Sequence, residues 1–392
     1  MQEQKLQVKN QKWETRKLCD LEEMGVIQLG RGNIISKSDL IKNPGNYPVY
    51  SASKLNKGEF GRYGKYMFDE ELITWSIDGG GDFFYRPKHR FSVTNVCGWL
   101  RILKPEILNY KYLYFVLDWT HEKLYFNYIF KAHPSVIREK YEIPLPPLEI
   151  QKRIVAKIEQ LFEKIDKAIE LRKKAIEETE QIFQSAVQEV ISKSMKKYKV
   201  DKIKNILVDV QSGFACSKRA VQDIGVPQLR PNNIGFNGKI DFSNIVFIPK
   251  KFVNQNKYKL KKGDVLFNNT NSKELVGRAV LVERNLDCVF SNHITRLRVN
   301  LKILLPEWLV ININYLWSIG YFLKFSQKWI GQAGVNTQML KFIQIPLPPL
   351  SEQEKIVSYL NNLREKVDKL KRVQEEQLKE LEELKKSILE KA

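Results

Sequence analysis

The sequence predicts an α+β protein: two mixed α/β domains joined by two long helices that pair as an antiparallel coiled coil, with an approximate twofold relating the copies. Three observations predict this class: a gapless internal repeat, heptad spacing after each copy of it, and short strand-like runs broken by turns ahead of each copy. Residues Ile143 to Asp166 read IPLPPLEIQKRIVAKIEQLFEKID, and Ile345 to Asp368 read IPLPPLSEQEKIVSYLNNLREKVD. They align at an offset of 202, with 13 of 24 positions identical. Chance does not place Ile-Pro-Leu-Pro-Pro-Leu twice in this way, so the chain is two copies of one plan. The expected segments are a globular domain over 1–142, a spacer helix over 143–198, a second globular domain over 199–345 and a second spacer helix over 346–392. A length of 392 residues exceeds what one hydrophobic core usually organises, which agrees with two domains.

The globular segments come first in each copy. Glu71 to Ile77 and Val289 to Val299 read as strands. Turn signals at Asn43-Pro44-Gly45, Gly79-Gly80-Gly81 and Asn237-Gly238 interrupt such runs. Pro105 and Pro306 each precede an expected helix, over Glu106–Leu117 and Glu307–Trp317.

The spacer helices follow the proline motifs, because Pro147 and Pro349 sit where a missing N–H costs nothing. In the first, apolar or small residues recur at Ile154, Ile158, Leu161, Ile165, Ala168, Ala175, Ile182 and Ala186, interrupted by Arg172 and Thr179. A second stripe recurs at Val155, Phe162, Ile169, Ile176, Phe183 and Val190. In the second helix the stripe is Ile356, Leu360, Leu363, Val367, Leu370, Leu381, Leu384 and Ile388, broken by Gln374 and Gln377. Alternating steps of four and three keep one seam facing a partner helix. Two seams on one chain most simply bury each other. Parallel and antiparallel pairing are both open across the intervening domain, and the antiparallel pair is the expected one. Burial of both stripes against the adjacent domains is the competing arrangement.

Charge narrows the partners. The chain carries 65 Lys plus Arg against 45 Asp plus Glu, a formal charge of +20, which favours a polyanion: nucleic acid, or an anionic membrane surface. The segments carry +5, +2, +13 and 0 in chain order, so the helices are near-neutral mosaics and the surplus sits on the globular domains. The second domain should therefore show the steeper salt dependence. Lys193 to Lys204 holds six lysines in twelve residues, either a phosphate contact or a solvated join.

Several function classes find no support. Cys19, Cys97, Cys216 and Cys288 lie too far apart for a local zinc or redox pair, and a reducing cytoplasm fits them. Met1 to Lys12 has no apolar core of a signal peptide. Trp308 to Leu323 is too short and too polar to span a bilayer, and no basic amphipathic helix with a large apolar face stands out. A phosphate-binding Gly-x-x-x-x-Gly-Lys-Ser/Thr loop is absent, as are Asn/Asp-Pro-Pro-aromatic and Pro-Asp motifs. His89, His121, His133 and His293 show no metal spacing, and Asp78 to Asp82 reads as a turn between strands. Nothing in the sequence argues for catalysis or for a metal.

These residues resemble the specificity subunits of type I restriction–modification systems. The resemblance rests on Ile143–Leu148 and Ile345–Leu350, on Gln151 with Ile154-Val155 and Glu352-Gln353 with Ile356-Val357, and on the two-copy layout. Gly45 to Ser51, Pro227 to Ile234, Lys262 to Leu266 and Leu275 to Arg278 are similar to family patterns too. Glu149-Ile150 departs from the Glu-Gln that the family often carries, as in Glu352-Gln353. The resemblance implies two target recognition domains, each reading one half of a split, asymmetric double-stranded DNA sequence. It implies a helical spacer that docks two adenine-N6 methyltransferase subunits, and through them restriction subunits. S-adenosylmethionine would sit on the methyltransferase partner, ATP and magnesium on the restriction partner, and no cofactor on this chain. Half-sites read from one face lie about one helical turn or so apart, and a helix of about 45 residues bounds their separation at about 67 Å.

Base readers are expected among amide, guanidinium and hydroxyl groups on loops, which match base-edge donors and acceptors. In the first domain the candidates are Ser51, Ser53, Asn56, Lys57, Arg86, Lys88 and Arg90, with Trp75 and Tyr85 as stacking or wedge groups. In the second they are Lys218, Arg219, Arg230, Asn232, Asn233, Asn268, Asn269, Asn271, Lys273, Arg278 and Asn336. Candidates for the helix seam and partner docking are Ile154, Ile158, Leu161, Phe162, Ile165, Ile169, Ile356, Leu360, Leu363, Val367 and Leu370. A coiled-coil adaptor without DNA specificity accounts for the heptads but not for charge concentrated on the globular domains. An autonomous DNA-acting enzyme accounts for the charge but lacks its motifs.

Overall fold

The computed structural model describes residues 13–391 except Lys54, Gly79, Glu122, Tyr125, Asn127, Tyr128, Gln222, Asp223, Phe236, Asn237, Ser326, Ile330 and Gly331. The polar start Met1 to Lys12, and Gly79 and Asn237 of the turn signals, lie outside the described residues. The chain forms two compact units, residues 1–173 with 376–392, and residues 174–375.

The first unit runs β1 (Thr15–Lys17), α1 (Leu18–Glu23), β2 (Ile27–Arg31), α2 (Lys37–Lys42), β3 (Tyr47–Tyr50), β4 (Glu59–Tyr63), β5 (Phe68–Ser76), β6 (Phe83–Val93), β7 (Cys97–Ile102), α3 (Tyr110–His121), α4 (Pro134–Lys140) and β8 (Glu142–Pro144), then enters α5 (Leu148–Lys197). Six strands form one sheet in the order β2-β7-β5-β6-β3-β4, antiparallel except for β3 beside β6. Its core gathers Leu18, Ile27, Ile73, Trp75, Leu100, Leu113 and Ile143. The helix expected over Glu106–Leu117 begins only at Tyr110. The Asn109 carboxamide accepts the Tyr112 N–H at 3.0 Å, and this cap, not Pro105, sets the start.

The second unit runs β9 (Val200–Lys202), β10 (Leu207–Ser212), β11 (Gly225–Leu229), β12 (Val246–Pro249), α6 (Gln255–Tyr258), β13 (Val265–Asn268), β14 (Thr270–Asn271), β15 (Ala279–Leu281), β16 (Val289–Phe290), β17 (Ile294–Val299), α7 (Pro306–Ser318), α8 (Tyr321–Phe325), β18 (Gln327–Trp329), β19 (Gln332–Gly334), α9 (Thr337–Phe342) and β20 (Gln344–Pro346), ending in α10 (Leu350–Lys391). Its sheets are β10-β17-β13-β15, β12-β11-β16, β14-β19-β18 and the two-stranded β20-β9. Pairing shows the shared plan. The antiparallel set β2, β7, β5, β6 corresponds to β10, β17, β13, β15, and the parallel contact β3/β6 corresponds to β11/β16. One long strand, β6, serves both parts of the first sheet. Its counterpart is broken into β15 and β16, so the second sheet divides. The strand expected over Val289–Val299 is likewise two strands, because a turn closed by Ile294 N–H to the Ser291 carbonyl separates them.

The repeated motif does the same work in each copy. Ile143 in β8 pairs with Arg16 in β1, and Ile345 in β20 pairs with Asp201 in β9. Gln151 is fully buried: it donates to the carbonyls of Ile107 and Pro146 at 2.8 and 2.9 Å and accepts from Asn109 N–H at 2.8 Å. Gln353, equally buried, donates to Ile303 and Pro348 at 2.9 and 2.8 Å and accepts from Leu305 N–H at 2.9 Å. The glutamine thus ties each long helix to the loop ahead of α3 or α7.

Each unit takes its own portion of α5 and α10. In the second, Thr179 meets Gln374 and Glu180 meets Arg364, so the partner number falls as the α5 number rises and the helices run antiparallel. Arg364 also lies over the Phe183 ring at 3.7 Å. In the first unit, Lys385 pairs with Asp166 at 2.6 Å and lies over Phe162. Gln374, read as a break, is buried in the seam, whereas Leu370 and Leu384 of the expected stripe are exposed.

Candidate nucleic-acid interface

Three loops meet at the C-terminal ends of the parallel strands in each domain, where ligand sites of open α/β sheets commonly lie. In the first domain they are Gly32-Asn33 after β2, Ser51 after β3 and Thr94-Asn95 after β6. Asn33 bridges Thr94 in parallel fashion, and Thr94 N–H donates to the Tyr50 carbonyl at 2.9 Å. In the second they are Gly213-Phe214 after β10, Arg230 after β11 and Ser291-Asn292 after β16. Phe214 bridges Ser291, and Ser291 N–H donates to the Leu229 carbonyl at 2.9 Å. The two glycines are required by close approach: a Cβ on Gly32 would fall 2.1 Å from the Val93 carbonyl oxygen, and one on Gly213 2.2 Å from that of Ser291.

Side chains at the first locus are mutually satisfied. The Thr94 hydroxyl donates to Ser51 Oγ at 2.8 Å. Beside it, Asn56 and Lys57 take left-handed backbone at φ 48° and 51°. Arg86 holds that turn, donating from Nη2 to the Lys57 carbonyl at 2.7 Å and from Nε to Thr74 Oγ1 at 2.9 Å, with its guanidinium 3.5 Å above the Tyr50 ring. Arg86 is buried, and desolvation lowers its pKa. It is a brace for the loop, not an exposed reader. Trp75, expected as a wedge, is wholly buried and donates its indole N–H to Ala132, which corrects that expectation. Tyr85 is half-buried with its hydroxyl on Glu71 at 2.5 Å; burial, then that bond, raises its pKa. Ser53 accepts from Leu55 N–H, and Arg90 is exposed but paired with Asp69 at 3.0 Å. Asn56, Lys57 and Lys88 are exposed.

The second domain divides its candidates in the same way. Asn233, Asn268 and Arg278 are buried and hold backbone carbonyls: Asn233 on Asp241, Asn268 on Leu275, Arg278 on Ile234. Burial pushes the Arg278 pKa down to about 10. Asn269 bonds Asn292 and Thr295, Asn271 accepts from Ser272 N–H, and Asn336 caps α9 by accepting from Met339 N–H. These six are committed to the fold. Lys218, Arg219, Asn232 and Lys273 are exposed. Arg230 is half-buried, its Nη2 donating at 3.4 Å to Gln228, and its buried Nε has no acceptor. Burial and then the nearby Arg219 depress its pKa. The hydroxyl of Ser291, a residue only 5% exposed, also lacks a partner.

Thr94, Ser291, Gln228 and Phe214 were missed by residue type alone. Aligning Val93-Thr94-Asn95-Val96 with Phe290-Ser291-Asn292-His293 exposes the first two.

On the helices, Ile158, Ile165, Leu360 and Val367 are buried, and Ile154, Leu161, Phe162, Ile169, Ile356 and Leu363 are half-buried. Phe162 sits edge-on to Phe115. The buried residues belong to the interior and offer no surface to a partner. Leu370 is exposed, as are Tyr359 and Val373 on α10. Among the described residues no cluster of three His, Cys, Asp or Glu is placed to hold a metal, and no helix is long and apolar enough to cross a membrane.

Comparison with known proteins agrees with this architecture. A family model described as the type I restriction modification DNA specificity domain matches twice, over residues 10–181 and 217–380. The putative type I specificity subunit S.MpnORF615P of Mycoplasma pneumoniae is 37% identical over 142 residues, 36% of this chain and 56% of that protein. The MpnII specificity subunit of the same organism is 37% identical over 142 residues and 42% of its length. The matched region thus spans about half the length of these curated relatives. Among solved structures, a chain from a type I R–M system superposes with a TM-score of 0.71 at 21% identity, covering 97% of both chains. The HsdS subunit from Thermoanaerobacter tengcongensis gives a TM-score of 0.55 at 22% identity, covering 97% of this chain and 96% of its own. With its family model matched in both copies over most of its length, the chain belongs to the type I restriction–modification DNA specificity family.

Proposed function

We propose that this chain is the non-catalytic recognition subunit of a cytoplasmic type I restriction–modification complex, reading a bipartite, asymmetric DNA target. The observation that carries the reading is one loop locus built twice on one fold with different side chains: Asn33, Ser51 and Thr94 in one domain, Phe214, Arg230 and Ser291 in the other. Equal frameworks with unequal contact groups suit two different half-sites. The paired helices act as the spacer. Two adenine-N6 methyltransferase subunits bearing S-adenosylmethionine dock on the helices, and restriction subunits using ATP and magnesium join through them. The exposed Tyr359, Leu370 and Val373 support a docking face on α10. Flipping of the target adenine makes both domains grip a distorted duplex.

The test is co-expression with a cognate methyltransferase subunit and a methylation profile of the host genome. Adenine methylation at a split motif is expected only when both chains are present. Methylation by the partner alone at the same motif, or DNA modification by this chain alone, refutes the proposal. Tyr359→Glu with Leu370→Glu should abolish co-purification of the partner while the chain still binds DNA.

A further inference from the structure

Resting on that reading, we propose that Arg230, seated beside Ser291, is the specificity-determining residue of the second half-site and takes a guanine by bidentate contact with O6 and N7. The locus fixes where both side chains stand. Leu229 and Phe290 are in register on parallel strands, so Arg230 and Ser291 are the next residues side by side. In the first domain the same two positions are Ser51 and Thr94, whose side chains touch at 2.8 Å.

The second locus is unsatisfied. Arg230 Nε and Ser291 Oγ are both buried atoms without a hydrogen-bond partner. Native proteins satisfy nearly all such groups, so two adjacent orphans at the mouth of three loops mark a place for a ligand. Gln228 fixes the guanidinium from below: its Oε1 accepts from Arg230 Nη2 at 3.4 Å, while its own Nε2 donates to the Phe214 carbonyl at 3.2 Å. The loop is fixed as well, since Arg230 N–H donates to Asn233 Oδ1 at 2.8 Å and Asn233 N–H returns to the Arg230 carbonyl. A guanidinium held this way offers a fork of donors to a pair of acceptors.

The pair of acceptors belongs to a base and not to a phosphate, and the comparison of the two copies decides this. Phosphate contacts are independent of sequence and set the register of a domain on the duplex. Two domains of one fold on one duplex would keep a cation at such a position in both. Here the same position holds a guanidinium in one copy and a hydroxyl, already satisfied internally, in the other. A position that varies in chemistry while its framework is preserved reads sequence.

The experiment compares whole complexes of methyltransferase with wild-type chain, Arg230→Ala, Arg230→Lys and Ser291→Ala by genome-wide adenine methylation. The wild-type motif is expected to hold a fixed G·C pair in the second half-site. With Arg230→Ala that pair alone becomes degenerate, its discrimination falling roughly 5- to 150-fold, while the first half-site and the spacing stay unchanged. Arg230→Lys restores part of the preference, and Ser291→Ala, which removes one hydroxyl and keeps the loop, weakens the same or the adjacent position. Uniform loss of methylation at every site with an unaltered motif, accompanied by a shallower salt dependence of binding, assigns Arg230 to a phosphate and overturns the proposal. An unchanged profile overturns it too. Failure of the wild-type complex to methylate any split motif instead refutes the underlying recognition role.

Discussion

Gln353 supplies three hydrogen bonds from inside the protein, and its removal should be felt by the whole second unit. Gln353→Ala strands the Leu305 N–H and the Ile303 and Pro348 carbonyls, all bonded now at 2.8–2.9 Å to a side chain with no exposure. A buried polar group left unpaired costs about 1–3 kcal/mol. Water entering the space vacated by the amide recovers part of the loss, so the net cost is about 2–5 kcal/mol. For a unit of about 200 residues each kcal/mol shifts the midpoint by about 2–4 °C, which gives a fall of about 4–20 °C. Calorimetry of the full chain is the assay, since two units need not melt together. Gln151→Ala should lower the transition of the first unit by a similar amount, and Gln181→Ala, on an exposed face of α5, should lower neither. Gln353→Glu keeps the acceptor but turns a charged oxygen toward two carbonyls, so it should be at least as damaging as alanine. A Gln353→Ala chain melting within about a degree of wild type would refute the reasoning.

Three further outcomes follow from the geometry. Lys57→Gly relieves a left-handed backbone at φ 51°, and unfolding in urea should show a gain of about 0.5–1 kcal/mol. Glu22 accepts from Arg138 and from Leu29 N–H, and chiefly the Arg138 bond holds its pKa below the usual carboxylate range. A depressed folded pKa contributes stability that is complete above the unfolded value of about 4.3 and lost as pH falls through the folded one. The stability gap between wild type and Glu22→Gln should be constant from pH 7 to about 5 and close in more acid solution; a gap that stays flat to about pH 3 contradicts the assignment. In the helix seam, Gln374→Leu leaves the Thr179 hydroxyl on its Ala175 carbonyl at 2.7 Å and should change stability by less than about 1 kcal/mol. Thr179→Val strands the Gln374 amide and should cost about 1–3 kcal/mol, most of it restored in the double variant.

The helices and the duplication were legible because a proline motif and heptads are local signals. Pro306 does begin α7, as expected of proline at a first helical position. Four residues of error at α3 came from Asn109, whose cap outweighed the proline at position 105. The seam was legible only in part. Spacing of seven leaves several faces eligible, and the partner helix chose the one carrying Gln374 over the one carrying Leu370 and Leu384. The loops of the candidate interface were least legible. Asn, Arg and Ser serve equally as loop braces and as base readers, and tertiary pairing alone separates Arg86, Asn233 and Asn268 from exposed Asn56, Lys57 and Lys218. Ser51 and Arg230, chosen singly by residue type, occupy one position of a shared framework, which strand register revealed.

The Thr179–Gln374 contact also bears on how a duplicated chain avoids pairing like with like. At the repeat offset, the position of Gln374 is filled in the first helix by Arg172, and that of Thr179 in the second by Leu381. Two copies of α10 laid antiparallel in the same register would therefore set a glutamine amide against leucine, and two copies of α5 would set threonine against arginine. Only the mixed pair gives the amide a hydroxyl, at 3.2 Å. A buried polar residue that is satisfied in one pairing and stranded in others fixes partner choice, at some cost in stability. The two halves share an ancestry and a fold, yet they are not interchangeable parts: each helix carries one half of a lock that closes only on the other.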